Sequence, residues 1–229
     1  MKSSIGRRAS AEGIGSALLL AAIVGSGIMA ERLAGGNLAL ALLANSLATG
    51  GALVALILTF APISGAHFNP AVTVAAIIAG DMRGRDAVPY IAAQVIGALL
   101  GVWLAHLMFD LPIIEVSARE RSGLGQCAGE FTASFGLIAL IESGRRRFVA
   151  ALPGAVAAYI AAAYWFTSST SFANPAVTLA RSLSDTFAGI APDNVPAFIA
   201  AQLAGATVAL ATFRWLYRCE HVATRATRR

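Results

Sequence analysis

The chain alternates long apolar runs with short polar breaks, and its charges collect in the breaks. Six of the runs approach or reach the roughly 20 mostly apolar residues that a membrane-crossing helix needs. They predict helices over residues 11–30, 38–60, 89–109, 126–141, 150–166 and 196–217. Glu31, Arg32 and a Gly-Gly pair end the first, and Pro62 reads as the stop after the second. Residues 110–125 read as a polar loop, 142–147 as a sharp basic turn and 184–193 as a further loop. Residues 63–68 and 167–173 are too short and irregular to cross. Each leads into a short apolar run, over 69–79 (closed by Gly80 and Asp81) and over 174–183.

Both short runs open on the same five residues, Asn-Pro-Ala-Val-Thr, at Asn69–Thr73 and Asn174–Thr178. Asn is a strong N-cap whose side-chain oxygen accepts from first-turn N–H groups. Pro suits the first helical position, where its missing N–H would have had no partner. Each box therefore predicts a helix start. The capping Asn keeps two amide N–H donors for a passing solute. Two such starts in one membrane chain suggest half-helices meeting head to head.

The halves repeat around these boxes. Ile91-Ala92-Ala93-Gln94 returns as Ile199-Ala200-Ala201-Gln202, and Glu12 is matched by Glu130. Three spans per half is an odd number, so the second copy lies inverted in the membrane. Inverted repeats with helices broken near the midplane are a transport architecture. Irregular backbone at that depth survives only where protein buries it or where it lines a watery cavity.

Composition agrees. The 229 residues are 57% hydrophobic and 13% charged, against about 25% charged in an ordinary soluble domain. The net charge of +5 could suggest nucleic acid, but the basic residues sit in short loops and tails as topology determinants, and no nucleic-acid partner is expected. With both termini inside, thirteen Lys and Arg fall on the cytoplasmic side; Arg32, Arg119, Arg121 and Arg181 fall outside. The positive-inside rule favours that orientation. The basic start (Lys2, Arg7, Arg8) could open a secretory signal, but the run it precedes is long enough to span and has a counterpart in the second half. Cys127 and Cys219 fall near opposite faces, so no disulfide between them is expected.

The two boxes lie 105 residues apart in inverted surroundings. Together with Ser64-Gly65-Ala66-His67-Phe68, Glu12, Glu130, Gln94 and Gln202, they resemble the aquaporin family over nearly the whole chain. Gly25–Ala30, Ala105–Asp110 and Ala163–Phe166 are similar to the aquaglyceroporins of bacterial arsenic-resistance operons. The resemblance implies an all-α membrane protein with the aquaporin-like fold: six transmembrane helices and two pore-forming half-helices in a single channel domain over residues 1–229, its inverted repeats at about 11–109 and 126–217. It implies a passive channel for glycerol-like polyols, arsenous acid and water in a bacterial inner membrane. It also implies a homotetramer in the lipid bilayer, with no cofactor and no enzymatic activity.

In that reading Asn69 and Asn174, with Pro70, Ala71, Pro175 and Ala176, form the pore centre. The carbonyls of Gly65, Ala66, His67 and Phe68, and of Thr170, Ser171, Phe172 and Ala173, supply an acceptor ladder opposite an apolar wall. The half-helix N-termini place positive dipole ends at the centre and disfavour cations. Glu12 and Glu130 either relay protons, as intramembrane carboxylates can, or, as the family pattern implies, hold the two irregular loops. His67 reads as a packed loop residue, His106 as packed near a helix end, and Gln94 and Gln202 as inter-helix hydrogen bonders. Gly15, Gly25, Gly97, Gly101 and Gly205 suit close helix packing.

The filter departs from the family. Most members carry Arg directly after the second Asn-Pro-Ala; here the residue is Val177. Counting along the family pattern puts the other filter positions at Thr49, Ala162 and Ser171, all small. The expected constriction is wide and weakly polar, which argues against a strict water channel. Arg181 lies four residues beyond Val177 on the same helix face, about 6 Å further out at 1.5 Å per residue. It either stands in for the missing guanidinium or snorkels to the interface. The alternatives are a water-selective aquaporin and, from another class, a proton-coupled secondary transporter.

Overall fold

The structure is a computed structural model that describes residues 3–217. Among these, the chain forms eight α-helices: α1 (Ile5–Leu33), α2 (Leu38–Ser64), α3 (Pro70–Ala79), α4 (Gly84–Met108), α5 (Leu124–Arg147), α6 (Leu152–Phe166), α7 (Pro175–Arg181) and α8 (Val195–Leu216). With the 3-10 turn Val149–Ala151 counted into α6, six helices are long and apolar enough to cross a membrane. The two short ones, α3 and α7, follow the two Asn-Pro-Ala boxes. Lys2, Arg218, Arg225, Arg228, Arg229 and Cys219 lie outside the described residues.

Several expected boundaries shift; α1 begins at Ile5, where Ser4 Oγ caps it by accepting from Arg7 N–H, rather than at residue 11. Helix α2 runs through Pro62 to Ser64. A proline removes one N–H from the ladder, and a helix about to end loses little by that. The stop is Gly65, which adopts the left-handed conformation (φ 95°) and donates its N–H to Ala61 O. The basic turn at 142–147 is the last stretch of α5. Its three arginines suit the negative end of the helix dipole, and Glu142 faces Arg145 and Arg146 at 3.8 Å each. Helix α4 begins five residues before Pro89, at Gly84.

The packing follows the repeat. Helix α1 packs mainly on α4 and α2, and α5 on α8. Helices α2 and α6 meet across the molecule, and each half-helix touches the long helix of the other repeat: α3 on α8, α7 on α4. Close approaches in both halves are built on glycine. A Cβ on Gly97 would stand 2.1 Å from Gly13 O, and one on Gly205 would stand 2.3 Å from Phe131 O. Both obstacles are backbone, so no rotamer change relieves them.

Gly97→Ala and Gly205→Ala are therefore expected to push α4 off α1 and α8 off α5, at about 1–3 kcal/mol each. Thermal unfolding in detergent measures it. Gly51→Ala is the control, since a Cβ there meets nothing within 4 Å; equal melting temperatures for all three variants would contradict this packing.

Candidate functional site

The site is built by the two irregular loops ahead of α3 and α7, and they are near-copies. In the first, Ala66 (φ 51°) and Phe68 (φ 49°) are left-handed, and in the second Ser171 (φ 52°) and Ala173 (φ 49°) are. Left-handed backbone on residues with a Cβ costs about 1–2 kcal/mol each, so something must hold these turns. Buried carboxylates do. Glu12 Oε1 and Oε2 accept from the N–H groups of His67 (3.0 Å) and Phe68 (2.6 Å). Glu130 Oε1 and Oε2 accept from Phe172 and Ala173, both at 2.8 Å.

A glutamine braces each carboxylate. Gln94 Nε2 donates to Glu12 Oε2 (2.8 Å) and Thr73 Oγ1 (3.0 Å); Gln202 Nε2 donates to Glu130 Oε2 and to Thr178 Oγ1 (2.8 Å). Each threonine then donates to the carbonyl of its own box asparagine. Serines complete the loops, Ser64 Oγ accepting from Ala66 N–H and Ser169 Oγ from Ser171 N–H.

Asn69 and Asn174 cap their half-helices through their side-chain oxygens, which accept from Ala71 N–H and from Ala176 and Val177 N–H. Their amides also cross. Asn69 Nδ2 donates to Ala173 O and Asn174 Nδ2 to Phe68 O, each at 2.8 Å. One N–H per asparagine is thus committed to the opposite loop, and one remains, where two had been expected. The Phe68 and Ala173 carbonyls, expected as ladder rungs, are correspondingly engaged.

A cavity of about 280 Å³ runs past these groups. Gly65 to Asn69 and Ser171 to Asn174 line it on one side. Among the described residues, the carbonyls of Gly65, Ala66, His67, Ser171 and Phe172 meet no protein donor. Thr170 does not line the cavity; its Oγ1 faces Arg121 at 3.4 Å. The opposite wall is aliphatic, drawn from stripes at spacing four: Leu53 and Ile57 on α2, Val156 and Ile160 on α6. Arg145 and Glu142 line one end, and Arg145 reaches Asp81 at 2.7 Å.

Thr49, Ser171, Val177 and Arg181 line the cavity at the other end. Ala162 does not; it is exposed on the outer face of α6. The residue that reaches in is Tyr164, whose hydroxyl is 3.2 Å from Thr49 Oγ1. Two residues along a helix rotate the side chain by about 200°, which turns Ala162 away. The stripe 152-156-160-164 carried the signal for Tyr164.

Arg181 is 2% exposed, so it does not snorkel. Its Nε donates to Ala188 O, and its guanidinium carbon lies 3.4 Å from the centre of the Phe172 ring. Arg121, given no role by its sequence position, sits 5.0 Å from the same ring. The loop carrying it is tied to the 182–194 segment, through Ser117 N–H to Ser182 O, Ala191 N–H to Arg119 O and Arg121 N–H to Asn194 Oδ1. Buried His106 fastens the same region, 2.8 Å from Ser184 Oγ and 2.7 Å from Pro112 O. His67 packs beside Tyr90 with its Nδ1 3.1 Å from Thr73 Oγ1.

Comparisons with known proteins agree with this geometry. The sequence profile of the major intrinsic protein family matches residues 1–158. Aquaglyceroporin AqpS of Rhizobium meliloti (strain 1021) is 53% identical over 210 residues, 92% of this chain and 90% of that protein. Aquaporin AqpM of Methanothermobacter marburgensis is 30% identical, over 93% of this chain and 98% of its own length. The X-ray structure of the aquaglyceroporin from Plasmodium falciparum matches with a TM-score of 0.73, covering 92% of this chain and 96% of that one; at 21% identity this is a likeness of fold. With its paired capped half-helices, crossed asparagines and full-length relatives, the chain belongs to the major intrinsic protein family, the aquaporins.

Proposed function

We propose that the chain is a passive transmembrane channel for small neutral hydroxylated solutes, glycerol-like polyols foremost, with water passing as well. One observation carries the reading: a cavity with free backbone carbonyls and asparagine amides along one wall and aliphatic side chains along the other. A polyol can exchange its water partners for the polar wall while its carbons meet the apolar one. An ion finds carbonyls on one side only, too few to replace its hydration shell. The 53% identical relative named aquaglyceroporin supports the same solute class. Likeness to the aquaglyceroporins of arsenic operons extends it to arsenous acid, another small neutral hydroxylated species.

The selectivity filter in this reading is Thr49, Ser171, Val177 and Tyr164, with Arg181 providing the positive charge that excludes cations. Val177 in place of arginine, beside Thr49 and Ser171, argues against strict water selectivity. A proton-coupled transporter needs a titrating relay along the path; of the cavity-lining candidates, Glu142 sits at one end beside Arg145 and Arg146, and His67 Nδ1 lies 3.1 Å from Thr73 Oγ1. Glu12 and Glu130 are fully buried, do not line the cavity, and have both oxygens taken by loop N–H groups. The proposed setting is a bacterial inner membrane with both termini inside, following the distribution of basic residues. The whole chain is one channel domain, assembled as a homotetramer with one pore per subunit, needing no cofactor and doing no chemistry on the solute.

Stopped-flow light scattering of proteoliposomes, with water, glycerol and arsenous acid side by side, tests the reading. Glycerol flux well above that of empty vesicles is expected; flux at their level would overturn it. Asn174→Leu removes a central donor and its tie to Phe68 O, and glycerol flux is expected to fall to near background in protein that still inserts. Thr49→Trp narrows the Tyr164 end, so glycerol flux should fall more than water flux. An equal fall in both would remove Thr49 from the constriction.

A further inference from the structure

The Arg181 end of the cavity carries two guanidiniums that make no ion pair among the described residues, with Glu130 the carboxylate in their neighbourhood. Arg181 spends Nε on Ala188 O, and its terminal nitrogens make no hydrogen bond to the protein among the described residues. Arg121 spends its donors on neutral acceptors: Gly189 O at 2.8 Å, then Ser169 O and Thr170 Oγ1 at 3.4 Å each. Neither arginine belongs to any ion pair found among the described residues. The charged neighbours are Arg119, which adds to the positive field though it lies 3.9 Å from the Glu31 carboxylate, and Glu130, whose oxygens are engaged by the Phe172 and Ala173 N–H groups and Gln202. Burial lowers the pKa of Arg121 to about 10, with Arg119 adding to the effect, so it remains charged at neutral pH.

Buried charges are ordinarily paired, because leaving one unpaired away from water is costly. Here two guanidiniums gather on one phenyl ring without a direct ion-pair partner among the described residues. A second unmet group sits beside them. Ser171 is 3% exposed and lines the same cavity, yet its Oγ has no hydrogen-bond partner among the described residues. The Thr49 and Tyr164 hydroxyls complete the surround.

We propose that this end of the cavity is a binding site for a small oxyanion, the monoanion of phosphate or of a similarly shaped oxyacid. The free edge of Arg181 and Ser171 Oγ hold the anion, and Arg121 supplies the second positive charge from behind Phe172. A guanidinium presents paired N–H donors that match two oxygens of one oxyanion. The aliphatic wall beyond offers such an anion nothing, so it stops at the mouth. The site is thus a plug for neutral flux, set by the oxyanion concentration on the side that Arg181 faces. This role rests on the channel reading above, whereas binding itself does not.

The test measures glycerol flux in proteoliposomes with inorganic phosphate at mildly acidic pH, where it is chiefly the monoanion, against sodium chloride at equal ionic strength. Flux of the wild type should fall as phosphate rises through the millimolar range. Arg181→Gln and Arg121→Gln should each need about tenfold more phosphate for the same fractional block, the effect of losing one charge-assisted interaction. Arg121→Lys, which keeps the charge outside the cavity wall, should restore most of the block; a purely structural Arg121 would not respond to charge in this way. Calorimetric titration of detergent-solubilised wild type and Arg121→Gln with phosphate reads binding independently of flux and of whether the Arg181 variant folds. Wild-type flux indifferent to phosphate, equal block in the Gln variants, or no heat of phosphate binding would overturn the proposal. Absent glycerol flux in chloride alone would overturn the channel reading instead, with calorimetry still deciding the site.

Discussion

Two carboxylates buried without solvent contact hold the pore wall in shape. Glu12 and Glu130 each take two successive loop N–H groups. Those groups belong to loops in which Gly65, Ala66 and Phe68, and Thr170, Ser171 and Ala173, are left-handed. That backbone leaves the His67, Phe68, Phe172 and Ala173 N–H groups facing the protein interior, where they must be satisfied. A carboxylate accepts two or more hydrogen bonds at one point, which suits adjacent amides. The glutamine and threonine behind each carboxylate close the network, so a shift of the acid would misplace the box asparagine as well. Fold and site are therefore one arrangement. The close glycine contacts bring α1 to α4 and α5 to α8, and α1 and α5 carry the acids to the loops.

Asn69 and Asn174 extend the same logic across the repeat axis. Each caps its own half-helix and donates to the carbonyl just before the other asparagine. The two loops are thus braced against each other, and the donors left to a solute are fixed in direction. The cost is one N–H from each amide, and the gain is a centre that does not have to reorganise as each solute passes.

What could be read in the sequence was local. Asn-Pro-Ala encodes a capped helix start within three residues, and its duplication beside Glu12 and Glu130 revealed the repeat. Spans were legible because a lipid-facing helix must be apolar along its length. Errors came where tertiary placement decides. Pro62 looked like a stop because only the positive φ of Gly65 shows the real one. Ala162 was two residues out of phase with Tyr164, an error that counting along a helix permits and its apolar stripe corrects. The crossed asparagine amides needed both loops in place to be seen. Arg121 had no local signal at all; it reaches Phe172 only because its loop is sewn to the 182–194 segment. Val177 and Arg181, four residues apart on α7, both line the cavity, as their shared helix face suggested.

The account makes Glu130 a fixed acceptor rather than a proton carrier, and one substitution separates those roles with almost no change of shape. Glu130→Gln retains one oxygen but in either amide orientation turns an N–H donor group toward a loop N–H, that of Phe172 or that of Ala173. Glycerol flux per inserted molecule is the measurement. The account predicts a large loss in protein that still inserts, at every pH at which the wild type conducts, because the loop carrying Ser171 and Phe172 is no longer held. Wild-type glycerol flux in Glu130→Gln would contradict the central claim that these carboxylates shape the pore.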